Sequence, residues 1–206
     1  MVFTAFAILQ AWLFSTAENF ALSKAFYFLV ADDMHLEAST HETLLRGGAG
    51  YLVDLEGKEW VAYQVYFSPE QAKLVQSGLT APSKVVTLST EKVYFKTKQE
   101  KRLVNIVKDA FSCLDDYIEL LSAEIARLDK GATQQSSKRI LTVLTRQCAY
   151  VADKYEKDLT SFSRVLRDLQ ERLNGCIKGT VYTKDLRYAL CEACIGYIRL
   201  SQEYAL

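Results

Sequence analysis

The chain has 206 residues, of which 50% are hydrophobic and 24% are charged, with only 2 Pro and 9 Gly. This composition predicts one large or two small folded domains and excludes a disordered or collagen-like chain. Lysine plus arginine and aspartate plus glutamate each number 25, so the formal net charge is zero. Because a general nucleic-acid-binding protein needs an excess of basic residues, we expect no nucleic acid as a partner.

The first residues form an apolar segment. Residues 1–17 carry no charge, and a membrane-spanning helix needs about 20 apolar residues, so this run lies at the lower limit. No basic region precedes it, which is not typical of a signal peptide. Three interpretations of residues 1–23 stay open: a short membrane anchor, an amphipathic or buried helix, and the remnant of a longer anchor.

The next part of the chain, residues 24–97, has the pattern of a small α+β domain. Strands are predicted over 25–31, 50–55, 60–67 and 84–88, helices over 36–45 and 69–78, and a further extended piece over 93–95. Ser68 is predicted as the N-cap of the second helix, with Pro69 at its first position. Gly57 is predicted to take a positive φ in the turn between the second and third strands.

The order strand, helix, strand, strand, helix, strand predicts a ferredoxin-like βαββαβ arrangement. In that arrangement both helices cover one face of an antiparallel sheet. The other face is then expected to meet solvent, a partner or a ligand.

Two segments of this domain resemble the SPOR (sporulation-related repeat) domain family. In the segment Val65 to Leu74 a strand ends in an aromatic residue, Ser follows, and an Ala lies on the next helix. The first half is similar, with Phe28-Leu29-Val30 leading into a helix and Arg46 to Tyr51 following it. The resemblance covers about a third of the chain, residues 24–97.

The resemblance implies that the domain binds bacterial peptidoglycan, because SPOR domains hold glycan strands stripped of stem peptides on the open sheet face. Aromatic rings stack on sugars, and amides or hydroxyls bond to sugar hydroxyl groups. Strand alternation assigns Phe26, Phe28 and Val30 to the core. The predicted glycan-binding residues on the open face are Tyr27, Trp60, Gln64 and Tyr66. A one-residue slip in register would exchange the two sets.

Residues 98–206 predict three long amphipathic helices, because apolar residues recur at spacings of three and four. The first is predicted over 98–129, the second from about Leu141 to Asn174, and the third from Thr183 onward. Such stripes must be buried, so we expect an antiparallel three-helix bundle or a self-associating coiled coil. Elongated bundles are typical of scaffolds, which predicts a protein partner or a second copy for this part of the chain.

No residue pattern indicates catalysis or metal binding. The five cysteines are odd in number and do not form a secreted disulfide framework. Cys191 and Cys194 form one CxxC pair inside a predicted helix, whereas a zinc site needs four ligands. His35 and His41 are six residues apart and cannot share a helix face. We therefore expect core thiols, no metal, no cofactor and no catalytic residues.

The SPOR resemblance, together with the apolar N-terminal segment, implies a non-enzymatic bacterial envelope protein at the extracytoplasmic face of the cell membrane. Its SPOR-like domain would bind glycan strands, in sporulation or division, and its helices would serve assembly. The alternative is a cytoplasmic regulatory or scaffold protein whose ferredoxin-like domain binds a small molecule or dimerises. The free cysteines favour the second hypothesis, since reduced thiols are typical of the cell interior.

Overall fold

The computed structural model describes residues 20–32, 48–90, 92–93 and 98–204, and within these ranges the protein is a mixed α+β structure. The strands are β1 (Phe20–Ala21), β2 (Ala25–Ala31), β3 (Tyr51–Leu55), β4 (Lys58–Tyr66), β5 (Ser83–Ser89) and β6 (Lys92–Val93). The helices are α1 (Pro69–Gly78), α2 (Lys98–Asp129), α3 (Gln134–Tyr155), α4 (Thr160–Lys178) and α5 (Thr183–Tyr204). The helix predicted over 36–45 and the residues 94–95 lie outside the described ranges.

The local signals read from the sequence are confirmed at two places. In the turn between β3 and β4, Glu56 and Gly57 both have positive φ, and the Gly57 N–H donates to Asp54 Oδ1 at 2.8 Å. This is the backbone of a two-residue hairpin. At the start of α1, Ser68 Oγ accepts a hydrogen bond from the Gln71 N–H at 3.3 Å, as an N-cap does.

The main sheet has four strands in the order β3-β4-β2-β5, and each pair of neighbours is antiparallel. β1 and β6 form a separate two-stranded sheet. The pairing of β2 with β4 shifts at one point, where Leu29 lies opposite Gln64 but Val30 lies opposite Ala62. Tyr63 is therefore the extra residue of a bulge in β4.

Within the described residues both faces of this sheet are covered. On one face, Phe26 and Phe28 are fully buried in a large core that continues into α2–α5. On the other, Leu29 and Val61 belong to a second, smaller cluster, against which Leu79 at the end of α1 packs. The face of Phe26 and Phe28 meets α5 of the same chain. The end of α1 packs on the opposite face, which was expected to meet solvent, a partner or a ligand.

The predicted three-helix bundle is wrong, since four helices follow residue 97. The chain turns at residues 156–159, so the second predicted helix is two helices, α3 and α4, which pack against each other. The turn keeps the apolar spacing of a helix because Leu159 is buried in the same core and its N–H donates to the Tyr155 carbonyl at 2.8 Å. The periodicity alone therefore does not reveal the reversal of direction.

The predicted helix end at Asn174-Gly175 is also wrong. α4 continues to Lys178, and its C-cap is Gly179. A glycine inside a helix costs about 1 kcal/mol relative to alanine, so it does not by itself end a helix. Cys176, buried one residue later, keeps the last turn of α4 in the core.

A series of aromatic contacts connects the sheet to the most distant helices. The ring of Phe26 on β2 lies 5.6 Å from that of Tyr197 on α5, and Tyr197 lies 4.9 Å from Phe111 on α2. Phe111 is 6.1 Å from Phe162 on α4, which is 5.6 Å from Tyr155 on α3. Aromatic pairs at these distances pack favourably edge to face. The buried apolar residues of sheet and helices thus form one continuous core.

Candidate binding surfaces

Trp60, the largest of the predicted glycan-binding residues, is part of the core. Its side chain is only 8% exposed and belongs to the cluster shared with the helices. The ammonium nitrogens of Lys58 and Lys84 lie 3.9 and 4.0 Å from the centre of its ring, within range of cation–π attraction. A sugar cannot stack on this ring unless the lysines and the core around it move.

Gln64 is bonded to a helix. Arg187 on α5 donates from Nε to Gln64 Oε1 at 2.7 Å and from Nη2 to Asp129 Oδ2 at the end of α2, also at 2.7 Å. The guanidinium is mostly buried, and a planar, forked donor suits such a double contact. Gln64, Arg187 and Asp129 form what we call the Arg187 bridge, which joins β4, α5 and α2.

Tyr27 and Tyr66 lie directly opposite each other on β2 and β4. Both are partly exposed, and Tyr66 packs against the smaller cluster. Burial raises the pKa of Tyr66, while the nearby Arg187 charge opposes the increase. The structure therefore brings Tyr27 and Tyr66 together, two residues along the strands from the Leu29–Gln64 pair. It separates both tyrosines from Trp60.

The separation follows from the bulge. Simple alternation puts Trp60 and Tyr66 on one face, since they are six residues apart. The extra residue Tyr63 shifts the alternation, so that Trp60 packs in the large core and Tyr66 against the small cluster on the opposite face. The four predicted residues do not form one surface.

A second polar contact between sheet and helices surrounds Tyr51 on β3. Its hydroxyl donates to Asp185 Oδ1 at 2.8 Å, and its ring stacks on Tyr188 at 4.5 Å. The guanidinium carbon of Arg172 lies 4.5 Å from the Tyr188 ring centre on α5. The hydrogen bond to Asp185, followed by burial, raises the pKa of Tyr51 to about 12.

A third polar contact lies where the chain enters β2. The Lys24 ammonium bonds to the Asp115 carboxylate on α2, and the Tyr197 hydroxyl donates to the same carboxylate at 3.2 Å. The Lys24 nitrogen is also 5.6 Å from the centre of the Tyr197 ring. With the contacts of Arg187 and Tyr51, this contact ties the sheet to α2 and α5 at three places.

The sequence analysis did not single out Arg187, Tyr51 or Asp115. One pattern in the sequence could have indicated which helix they contact. Residues 186–200 of α5 carry charges only at Arg187, Glu192 and Arg199. A helix that is apolar nearly all round is buried on all sides. That pattern marks α5 as the central helix, to which both the sheet and the other helices must be joined.

A groove of about 260 Å³ runs between α4 and α5. Its floor contains the small residues Ala189, Ala193 and Gly196, and its rim carries charges of both signs. Arg172 lies 3.4 Å from Glu192 across this rim, so part of the charge is already paired within the protein. We assign the groove to the close packing of two helices.

The thiols of the CxxC pair are core groups. Burial is the largest cause that raises the pKa of Cys191 and of Cys194, and it keeps both thiols protonated at neutral pH. Across the described ranges, no group of three or more His, Cys, Asp or Glu side chains is arranged to hold a metal ion. His35 and His41 lie outside those ranges.

The predicted N-terminal anchor lies outside the described residues as far as residue 19. In the part of the chain that the structure describes, every helix is too short or too polar to cross a membrane. Comparisons of the chain with models of protein families, with curated proteins and with solved structures give no match. The SPOR resemblance therefore depends on the sequence segments in which it was found.

Proposed function

We propose that the chain acts by binding rather than by catalysis, as a scaffold protein whose helices hold the sheet in a fixed position. The observation that carries this proposal is the Arg187 bridge. It engages the side-chain oxygen of Gln64, which was predicted to bind glycan, and it fixes β4 to two helices at once. A side chain that is already bonded and mostly buried is a structural group rather than a contact for a ligand.

We also propose that the sheet unit is ferredoxin-like. The strand order β3-β4-β2-β5, with every neighbour antiparallel and α1 between β4 and β5, supports this assignment. The free state of all five cysteines supports the cytoplasmic location of the scaffold hypothesis.

Glycan binding is the second candidate function, and the pair of Tyr27 and Tyr66 favours it. These two rings are partly exposed and adjacent, on the opposite side of the sheet from the large core. Adjacent aromatic rings are a suitable platform for sugars. This candidate places the protein at the extracytoplasmic face of the cell membrane, in sporulation or division, with peptidoglycan as its partner.

One experiment separates the two candidates. The full chain is co-sedimented with purified peptidoglycan sacculi, either untreated or treated with an amidase that removes stem peptides. The scaffold proposal expects no saturable binding to either preparation. The tested variants are Tyr27→Ala and Tyr66→Ala, and the matched control is Tyr182→Ala, which removes an exposed tyrosine next to α5.

Saturable binding that increases after amidase treatment would overturn the scaffold proposal. If that binding is then lost in Tyr27→Ala and Tyr66→Ala but kept in Tyr182→Ala, the glycan surface is the tyrosine pair. If all three variants bind equally well, the assignment of glycan to the tyrosine pair is wrong and glycan binds elsewhere on the chain. Circular dichroism of each variant establishes that it is folded.

A further inference from the structure

We propose that two copies of this chain associate through the outer face of the α2–α3 hairpin, with α3 of each copy lying on α2 of the other. The hairpin face consists of Asp109, Asp116 and Leu120 on α2 and Arg139, Val143, Arg146 and Tyr150 on α3. The inference deepens the proposed scaffold function, since it names the surface and the partner through which the scaffold assembles.

The hairpin face exposes large apolar side chains in the middle of two long helices. Tyr150 is 72% exposed, Val143 is 55% exposed and Leu120 is 49% exposed. Single exposed apolar residues are ordinary. Three of them on two adjacent, antiparallel helices make a surface that gains free energy when a partner covers it.

The charges of the two helices are complementary. From Gln134 to Ala152, α3 carries three basic residues and no acidic residue. In the described part of the chain, neither Arg139 nor Arg146 forms an ion pair, and both are exposed. The outer side of α2, in contrast, exposes Asp109 and Asp116. Opposite charges on two faces of one molecule favour a partner that is a second copy of it.

The register of the hairpin determines which charges meet. The Lys154 ammonium donates to the Tyr155 hydroxyl, which raises the pKa of Lys154, and the Asp109 charge on α2 raises it further. At the turn of the hairpin, Arg127 Nη2 on α2 donates to Ser136 Oγ on α3 at 3.4 Å, so these two residues are level. Counting away from them along the antiparallel helices, Asp116 lies close to the level of Arg146, and Asp109 close to that of Lys154.

A two-fold axis parallel to the helices preserves these levels. It places Arg146 of one copy near Asp116 of the second copy, Val143 near the second copy's Leu120, and Tyr150 between the levels of the second copy's Asp109 and Asp116. An arrangement of α3 against α3 would instead bring Arg139 and Arg146 of both copies together. The repulsion between like charges disfavours that second arrangement.

The size of the face predicts a weak dimer. α3 has 22 residues, which at 1.5 Å per residue gives a length of about 33 Å. With two helices about 10 Å apart, the hairpin face offers about 650 Å² per copy, near the lower limit for specific interfaces. We therefore expect an equilibrium between monomer and dimer that depends on protein concentration.

Sedimentation equilibrium of the full chain, at low salt and at several concentrations, tests the proposal. We expect a concentration-dependent dimer that weakens as salt is added. Arg146→Glu and Asp116→Lys should each weaken association about tenfold or more, since each reverses two interfacial pairs per dimer. An equimolar mixture of the two variants should associate again, because every reversed charge then meets an opposite one. Arg164→Glu, a charge reversal on α4, is the matched control and should leave association unchanged.

Two outcomes would overturn the proposal: a wild-type chain that stays monomeric at all concentrations, or a dimer that neither charge reversal weakens. Failure of the mixture to associate, with both variants folded, would overturn the pairing of α3 with α2. The tyrosine pair tested with sacculi lies on the sheet, away from the hairpin face. The sacculus experiment and the dimer experiment can therefore fail independently.

Discussion

Tyr51 shows how a single side chain joins the sheet to the helices. It lies on the edge strand β3, where its ring stacks on Tyr188 and its hydroxyl donates to the Asp185 carboxylate. The neutral hydroxyl makes this bond, while the ionised form would place two negative charges side by side. The protonation of one tyrosine is therefore linked to the attachment of α5.

This linkage predicts a dependence of stability on alkaline pH. The pKa of Tyr51 is about 12 in the folded protein, above its ordinary value of 10.0. Its contribution to the free energy of unfolding is therefore fully present below about pH 10 and is lost between about pH 10 and 12. Tyr51→Phe keeps the ring but removes the hydroxyl, so the variant should lose less stability than the wild type over that interval.

Urea unfolding at pH 9 and at pH 11, followed by circular dichroism, measures the difference. Other buried tyrosines ionise in both proteins, so the comparison of wild type with variant isolates Tyr51. Equal losses of stability in the two proteins would show that the Asp185 bond does not control this titration.

At the scale of the elements, α4 and α5 approach each other unusually closely. A Cβ atom added at Gly196 would lie 2.8 Å from Cγ1 of Val165. Contacts this short force a side chain or a backbone to move, which a dense core resists. Glycine is therefore required at this helical position by the neighbouring helix rather than by its own backbone angles.

Gly196→Ala should lower the free energy of unfolding by about 1–3 kcal/mol, as overpacking of a core does. Replacing Val165 by alanine as well should recover part of the loss, because it removes the methyl groups that clash. The matched control is Gly175→Ala on α4, where nothing lies within 4 Å of the added Cβ. That control should stabilise the helix by about 0.5–1 kcal/mol. Denaturant unfolding of the three variants measures these changes in the free energy of unfolding. If Gly196→Ala is no less stable than Gly175→Ala, the neighbouring helix does not require glycine at position 196.

The elements that the sequence predicts well are those with a local cause. The start of α1 at Ser68 and the turn at Gly57 follow from capping and from positive φ, which neighbouring residues determine. The turn at Leu159 was missed because it preserves helical spacing. The separation of Trp60 from Tyr66 was missed because a bulge leaves no mark on the pattern of apolar residues. The Arg187 bridge was beyond prediction, since it joins residues that only the packing of the chain brings together.

At the scale of the whole molecule, sheet and helices share one core. The aromatic contacts from Phe26 through Tyr197 to Phe162 cross from the sheet to α4 without an interruption. Neither part can bury its apolar surface fully without the other. The boundary near residue 98 therefore separates two segments of the chain within a shared core.

A shared core predicts that the protein unfolds in one cooperative transition. Ellipticity at 222 nm reports mainly the helices, and fluorescence of Trp60 in a Trp12→Phe variant reports the sheet. The two midpoints in urea should coincide. If fluorescence changes at a clearly lower urea concentration than ellipticity, the sheet unfolds independently and the core is not shared in solution.

The sheet and α5, the helix that covers it, lie far apart in the sequence, and this affects how the chain folds during synthesis. Gln64 and Arg187 are 123 residues apart in sequence. At translation rates of about 5–20 residues per second, about 6–25 s pass between the appearance of the two residues. Throughout that interval Phe26 and Phe28, which are fully buried in the finished protein, lack α5, whose Tyr197 packs against Phe26. The nascent sheet therefore exposes part of its apolar face until α5 is complete, and exposed apolar surface of this kind makes folding intermediates prone to aggregate.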